Sequence, residues 1–382
     1  MKTNFVFNDL LVLEEFCNSR CQYCGGFYPT EFVFRPDADG KLKMPHSWKE
    51  KIAGDNTLCS KISANPTTKD FFSLALDVLD HVDQIADCSI LKLSGGEIFL
   101  HKDIVNFVKK IHNRYTAIQL LTNSMALTED QIDQLSKLEN VYFQFSLDGT
   151  TGETNASRTR SDQVVNKILS NAKRILDKGM GLEINCVLTK YNTDKFGEML
   201  DYFKNSKNLT IAPRPVRGEP RSILDFGEDQ IQLFEKTVID KYSSHEDILP
   251  PKPYLDQLVS LMKNRARNWS CYVPFFVFGE DNYGNIGTCT RSDELPSIGN
   301  IFKNPKEIAQ KLESRSYYDP KKLPTPCEYC IIQYEIMNLF AEDEINENEL
   351  RRIPSYRFDE VIEKAKKIKK ELGELKMLSD NS

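Results

Sequence analysis

From residue 10 to about residue 215, short apolar runs alternate with amphipathic stretches, the pattern of strand–helix units in series. Six strands are expected, over residues 10–16, 89–94, 117–122, 141–148, 181–189 and 209–215. The helices between them carry their own punctuation. Thr128 followed by Gln131 forms a capping-box pattern, with Ile132, Leu135 and Leu138 at helical spacing behind it. Ser161 opens another helix whose Val164, Val165, Ile168, Ala172, Ile175 and Leu176 share one face, and Gly179 closes it. Units of this kind in series imply parallel strands joined by right-handed crossovers, so the fold class is α/β. The first unit is irregular, with some fifty residues between strand 1 and the helix near Thr68. A loop that long is usually functional or carries small elements of its own.

Parity along the strands separates an inner from an outer face. On strand 4, Gln144, Ser146 and Asp148 share one side and Phe143, Phe145 and Leu147 the other. On strand 5, Glu183, Asn185, Val187 and Thr189 alternate with Ile184, Cys186 and Leu188. The polar sets are expected to line the interior and the apolar sets to pack on helices. Cys186 then faces the helix layer, and Asn185 faces the interior. Cys88 is placed just before strand 2, as a packing residue. After residue 215 the pattern changes. Residues 229–242 and 254–267 read as helices around a proline-rich stretch at 250–253, and 272–278 and 285–289 read as strands around a turn at Asn282 and Gly284. Residues 359–372 form a charged helix.

Of 382 residues, 40% are apolar and 28% charged, enough for a packed core and too many for a disordered chain. The net charge of −6 argues against a basic nucleic-acid surface. The longest apolar run, 271–279, is broken by Pro274 and falls well short of the ~20 residues of a membrane span. Asp9, Glu14 and Glu15 interrupt the apolar start, which is wrong for a signal peptide. A soluble, cytoplasmic protein with no nucleic-acid or membrane partner is expected.

Ten cysteines in a reducing compartment call for a role other than disulfides. Cys17, Cys21 and Cys24 fall together after strand 1, at spacings of four and three. A loop there can converge three thiolates on one iron–sulfur cluster and leave the fourth iron open, as an open ligand position marks chemistry in zinc sites. The segment CNSRCQYC resembles the CxxxCxxC motif of the radical S-adenosylmethionine (radical SAM) superfamily, with an aromatic, Tyr23, before the last cysteine. Ser94-Gly95-Gly96-Glu97, ending strand 2, is similar to that family's GGE motif, which binds the methionyl amino group. Strand 3 ends in Thr122-Asn123, and strand 4 reads Ser146-Leu147-Asp148-Gly149 with Arg158 nine residues past the glycine. The resemblance implies a partial (β/α)6 TIM-type barrel over residues 1–225, with its active site at the C-terminal ends of the strands. It also implies cofactor contacts from Tyr23, Gly95, Gly96, Glu97, Asn123, Ser146, Asp148, Arg158 and Asn185, with Ser146 and Arg158 on the ribose and carboxylate.

A second set, Cys271, Cys289, Cys327 and Cys330, resembles the opening of the SPASM and twitch domains that follow many such barrels, Gly284 included. Four cysteines fit the shorter, twitch-like arrangement: one closed auxiliary 4Fe–4S cluster in a smaller α+β domain at 269–335. A helical connector at 226–268 precedes it, and a helical segment at 336–382 follows. A four-cysteine zinc site is the alternative. Two 4Fe–4S clusters and S-adenosylmethionine are therefore the implied cofactors, with a flavodoxin- or ferredoxin-type electron donor. The implied reaction is reductive cleavage of S-adenosylmethionine to a 5′-deoxyadenosyl radical that abstracts a substrate hydrogen. The substrate is expected to be a ribosomally made peptide undergoing maturation; the alternatives are small-molecule dehydrogenation and, as a non-enzymatic reading, a two-cluster electron carrier. The lack of a leader-binding domain before strand 1 counts against a peptide. The insertion at 25–66, with Phe27, Tyr28, Phe32, Phe34 and Trp48, can cover the barrel mouth or form a small core of its own. Arg214, Arg217 and Arg221 can bind carboxylates there, or be solvated charges. Cys59 and Asn185 are the candidate catalytic residues.

Overall fold

The computed structural model describes residues 2–12, 17–19, 21–23, 71–216, 224–289, 297–324 and 327–380. Cys24, Cys59, Arg217, Arg221 and the 25–66 insertion lie outside the described residues. The element order is β1 (Thr3–Val12), α1 (Phe71–Ile85), β2 (Ala86–Gly95), α2 (Ile104–Ile111), β3 (Ala117–Thr122), α3 (Glu129–Leu135), β4 (Val141–Ser146), α4 (Asp162–Asp177), β5 (Leu182–Leu188), α5 (Phe196–Phe203) and β6 (Leu209–Pro215). Strands β1 to β6 pair in chain order and all in parallel. This is the expected α/β architecture, an open sheet consistent with a partial barrel. The capping box at Thr128 and Gln131 and the N-cap at Ser161 form as their patterns require.

The first strand differs from its expected span. It runs over Thr3–Val12 rather than residues 10–16, of which 13–16 lie outside the described residues. Asn4, Asn8 and Asp9 interrupt its apolar pattern, yet all three are buried. Strand β2 starts at Ala86, so Cys88 sits inside the strand, opposite Phe5, and not before it. The expected strand at 272–278 is half helix: Pro274 stands in the first turn of α8 (Val273–Phe276), and β7 (Val277–Asp281) follows directly.

Helices α6 (Glu228–His245) and α7 (Lys252–Asn264) precede α8. Strand β7 pairs in parallel with β1 on the side opposite β2, and β8 (Asn285–Gly287) and β9 (Ser297–Asn300) continue from it antiparallel. The full order is β6-β5-β4-β3-β2-β1-β7-β8-β9, so the strands carrying Cys271 and Cys289 at their flanks extend the sheet of the cysteine loop itself. Helices α9 (Pro305–Ser314), α10 (Glu335–Ala341), α11 (Glu347–Arg351) and α12 (Asp359–Asp380) complete the chain. No helix among the described residues is long and apolar enough to cross a membrane.

The concave face of the sheet is filled by residues from the end of the chain. The parity expectation holds there: Gln119 of β3 reaches past β4 to donate to Glu183 of β5 at 3.0 Å, and Gln144 donates to the same carboxylate at 3.3 Å. The Ser355 backbone N–H and hydroxyl also donate to Glu183, and the Tyr254 hydroxyl donates to the Pro213 carbonyl at 2.9 Å. Cys186, of opposite parity to Glu183 and Asn185, is buried with its thiol 3.6 Å from the Asp148 carbonyl.

Candidate active site at the C-terminal ends of the strands

The cysteine loop follows β1 and is tied to two neighbouring strand ends. The Gln22 N–H donates to the Ser157 carbonyl at 2.8 Å, in the turn after β4. The Asn123 amide, just past β3, donates to Asn18 Oδ1 at 2.8 Å and lies 3.8 Å from Cys17 Sγ. Within the loop, the Ser19 N–H donates to Cys17 Sγ at 3.4 Å, and the Ser19 hydroxyl is 3.1 Å from Cys21 Sγ. Cys17 is exposed and Cys21 half-buried, so both thiols remain reachable by a cluster.

Strand β2 ends with Gly95 at φ +153°, a conformation essentially closed to residues with a side chain. Beyond it the Glu97 carboxylate is 1% exposed and takes three donors: the Thr122 hydroxyl at 2.6 Å, the Asn123 N–H at 2.7 Å and the Phe99 N–H at 3.1 Å. Burial raises its pKa, and those three donors oppose the rise. Glu97 thus joins the ends of β2 and β3 and still has lone-pair capacity for an ammonium.

After β4, Asp148 Oδ1 accepts from the Val187 N–H at 3.0 Å, and Asp148 Oδ2 accepts from the Tyr23 hydroxyl. Arg158 lies against the same pair. Its Nη2 donates to the Tyr23 oxygen at 2.5 Å, its Nε is 3.6 Å from Asp148 Oδ2, and its Nη1 is 3.4 Å from Cys21 Sγ. The turn between Asp148 and Arg158 needs the glycine at 149, because a Cβ there would meet Thr154 Oγ1 at 2.2 Å. Arg158, expected to reach a cofactor carboxylate, therefore engages the cysteine loop. Burial raises the Tyr23 phenol well above its ordinary range, with Arg158 opposing and Asp148 adding to the rise.

Asn185 is 1% exposed, points to the concave side beside Ser146, and has neither its amide nor its carbonyl oxygen hydrogen-bonded. An unpartnered buried amide carries a desolvation cost of about 1–3 kcal/mol, which a polar ligand at the strand ends would relieve. Together with Cys17, Cys21, Glu97 and the glycine turn at the ends of the neighbouring strands, the residues present fit a cluster-bound polar cofactor.

The interior also holds a buried polar group built on Asp9, which no local motif marks. Asp9 accepts from the Ser94 hydroxyl at 3.0 Å and the Tyr334 hydroxyl at 2.6 Å, and Lys92 Nζ is 3.4 Å away. Burial lowers the pKa of Lys92, with Asp9 opposing. Strand parity places Asp9 and Lys92 on one face, but Tyr334 comes from a distant segment. Arg214 also faces inward and donates to Gln333 Oε1 at 2.9 Å.

The second cysteine set sits outside this interior. Cys289, Cys327 and Cys330 are buried and Cys271 half-buried, and the Tyr318 phenol is in electrostatic range of Cys271, Cys327 and Cys289. The backbone at Cys330 and just before Cys271 is held by Arg267, whose guanidinium donates to the Cys330 carbonyl at 3.0 Å, to the Ser270 carbonyl at 2.8 Å and to both oxygens of Glu335. The Trp269 indole N–H and Asn338 amide donate to the same carboxylate, and the Tyr272 N–H donates to Asn338 Oδ1. Among the described residues, no three His, Cys, Asp or Glu side chains stand close enough to hold a metal ion as they are.

Residues 11–203 match the radical SAM superfamily. The chain belongs to that superfamily. It is similar to GTP 3′,8-cyclase of Helicobacter pylori, 27% identical over 232 residues that cover 57% of this chain and 62% of that protein. It is also similar to the antilisterial bacteriocin subtilosin biosynthesis protein AlbA of Bacillus subtilis, 20% identical over 235 residues that cover 59% of this chain and 50% of AlbA. The chain thus spans only about half to 62% of the length of these curated relatives. Among solved structures, anSMEcpe with bound AdoMet aligns at a TM-score of 0.56 and 15% identity, covering 86% of each chain. Streptococcus suis SuiB bound to precursor peptide SuiA aligns at 0.53 and 13%, covering 84% of this chain and 66% of that one. Both share the fold with this radical SAM chain.

Proposed function

We propose that this radical SAM chain is an enzyme of peptide maturation, reductively cleaving S-adenosylmethionine at the cluster of Cys17, Cys21 and Cys24. The observation that carries the reading is the cysteine loop's position, fastened to the ends of β3 and β4, where Asn123 bonds both Glu97 and Asn18. When bound, the reduced cluster and S-adenosylmethionine supply a 5′-deoxyadenosyl radical for hydrogen abstraction. The chain's own part is placement and exclusion of water. Glu97 accepts an ammonium, Gly95 and Gly96 let it approach the backbone, and Ser146 and Asn185 offer polar groups to a ribose. Cys271, Cys289, Cys327 and Cys330 hold a twitch-like auxiliary cluster, and a flavodoxin- or ferredoxin-type protein delivers the electron.

AlbA, named for subtilosin biosynthesis, and SuiB, solved with its precursor peptide, favour a peptide substrate. The GTP 3′,8-cyclases favour a small molecule as the second reading. Anaerobically reconstituted protein, reduced with dithionite, is expected to form 5′-deoxyadenosine. Replacing Cys17, Cys21 and Cys24 together with Ala is expected to abolish it, and persistent production by that variant overturns the assignment. Mass analysis after turnover separates the substrates: a shift on a candidate precursor peptide supports the first reading, and one confined to nucleotides or polyols supports the second.

A further inference from the structure

We propose that Tyr318 is a positioning residue of the second cysteine set, its hydroxyl donating to the sulfur of Cys271 once that sulfur binds a cluster, and so setting the cluster's potential. This rests on the auxiliary cluster proposed at Cys271, Cys289, Cys327 and Cys330. The Tyr318 oxygen is buried and has no hydrogen-bond partner. The ionisable groups around it are Cys271, Cys327 and Cys289, with Cys271 acting on it most strongly. Two fastenings bring the residue there. The Cys271 N–H donates to the Pro320 carbonyl at 3.0 Å, and the Tyr317 hydroxyl donates to the Pro274 carbonyl at 2.8 Å. The Phe275 ring of α8 lies between, 5.8 Å from the centre of the Tyr317 ring and edge-on to that of Tyr318 at 6.0 Å. Residues 317–320 thus run alongside residues 271–275. Of the two adjacent tyrosines, Tyr317 spends its hydroxyl on the backbone and Tyr318 does not.

A buried hydroxyl without a partner is a cost to the fold, and it calls for an acceptor. A thiol is a weak one, whereas a cluster-bound thiolate carries charge and accepts a stronger bond. Binding a cluster at these cysteines therefore supplies what the Tyr318 hydroxyl lacks. Arg267 does not compete for the sulfur. Its donors go to the Trp269, Ser270 and Cys330 carbonyls and to Glu335. Hydrogen bonds to cluster sulfurs are among the factors that set iron–sulfur potentials. A bond from Tyr318 draws charge from the sulfur, favours the reduced form and raises the midpoint.

The test uses Cys17/Cys21/Cys24→Ala protein, in which only the auxiliary cluster remains, with and without Tyr318→Phe. Phenylalanine keeps the ring against Phe275 and removes only the donor. Both reconstituted proteins should hold about four iron atoms. The Phe variant should titrate at a lower midpoint potential, by about tenfold in the redox equilibrium, or about 59 mV for one electron. In the metal-free state it should unfold in urea at the same or a higher midpoint than its parent, because an unpartnered hydroxyl has been removed. Equal potentials at about four irons each overturn the inference and leave the cluster in place. A metal-free variant that unfolds well below its parent, or does not fold, also overturns it, since the hydroxyl then serves the fold. A parent that holds no iron, or zinc instead, overturns the auxiliary-cluster reading and the inference with it.

Discussion

The Tyr334 hydroxyl donates to Asp9 Oδ2 at 2.6 Å, joining the first strand to a segment 325 residues later. Both groups are buried, and Lys92 lies under the same ring, 4.9 Å from its centre. The interior of the sheet is thus closed from the far end of the chain, and the end of the cysteine-loop strand is held in place by that closure.

Removing the tyrosine hydroxyl tests the joint. Tyr334→Phe keeps the ring against Phe7 and leaves Asp9 with Ser94 and Lys92 as partners. The loss of one buried charge-assisted bond should cost about 1.5–3 kcal/mol. A shift of the urea midpoint at unchanged slope checks it; no shift means that the bond contributes nothing to the fold.

Glu335 and Arg267 give a sharper test, since their side chains are 1% and 2% exposed. Arg267→Met strands a carboxylate among Trp269 and Asn338 and frees the Ser270 and Cys330 carbonyls. Breaking a buried pair from one side typically costs about 3–5 kcal/mol, whereas replacing both partners with apolar groups is often neutral. Chemical denaturation should therefore show Arg267→Met/Glu335→Leu to be more stable than Arg267→Met. The reverse order would mean that the two residues act independently.

How far these features were legible varies by residue. Parity alone placed Gln144, Glu183 and Asn185 on the inner face, because a strand's alternation survives any tertiary context. Strand β1 was misplaced because polar residues interrupt its apolar pattern, and only distant partners, Glu371 for Asn4 and Ser94 and Tyr334 for Asp9, make the burial of those two tolerable. Nothing local marks Tyr334 as the partner of Asp9.

Glu280 makes stability depend on pH. It is 3% exposed, and burial raises its pKa well above the ordinary carboxylate value, with Asn8 opposing and the charges of Asp281, Asp83 and Asp9 adding to the rise. The folded state therefore holds a proton that the unfolded chain releases at lower pH. Stability falls as pH rises from the ordinary carboxylate range towards the raised value. Glu280→Gln removes that dependence. Thermal melts should show the variant more stable than wild type at pH 8, with the gap closing towards pH 4; a gap constant across that window rules the titration out.

The auxiliary cysteines carry the last prediction. Arg267 holds the Cys330 carbonyl and the Ser270 carbonyl just before Cys271, the Cys271 N–H donates to the Pro320 carbonyl at 3.0 Å, and the Cys327 N–H donates to the Pro324 carbonyl at 2.8 Å. These bonds fix the backbone beside the thiols without engaging the sulfurs themselves. Four thiolates saturate a cuboidal cluster, so reconstituted wild type should hold about eight iron atoms, about four for each cluster. The Cys17/Cys21/Cys24→Ala protein should keep about four. Its paramagnetic signal after reduction should not respond to S-adenosylmethionine, because no iron is left open to bind it. Zinc in place of iron would reassign the site to a structural metal, for which four cysteines are equally competent. A spectral response to the cofactor would show that one of Cys271, Cys289, Cys327 and Cys330 is not a ligand.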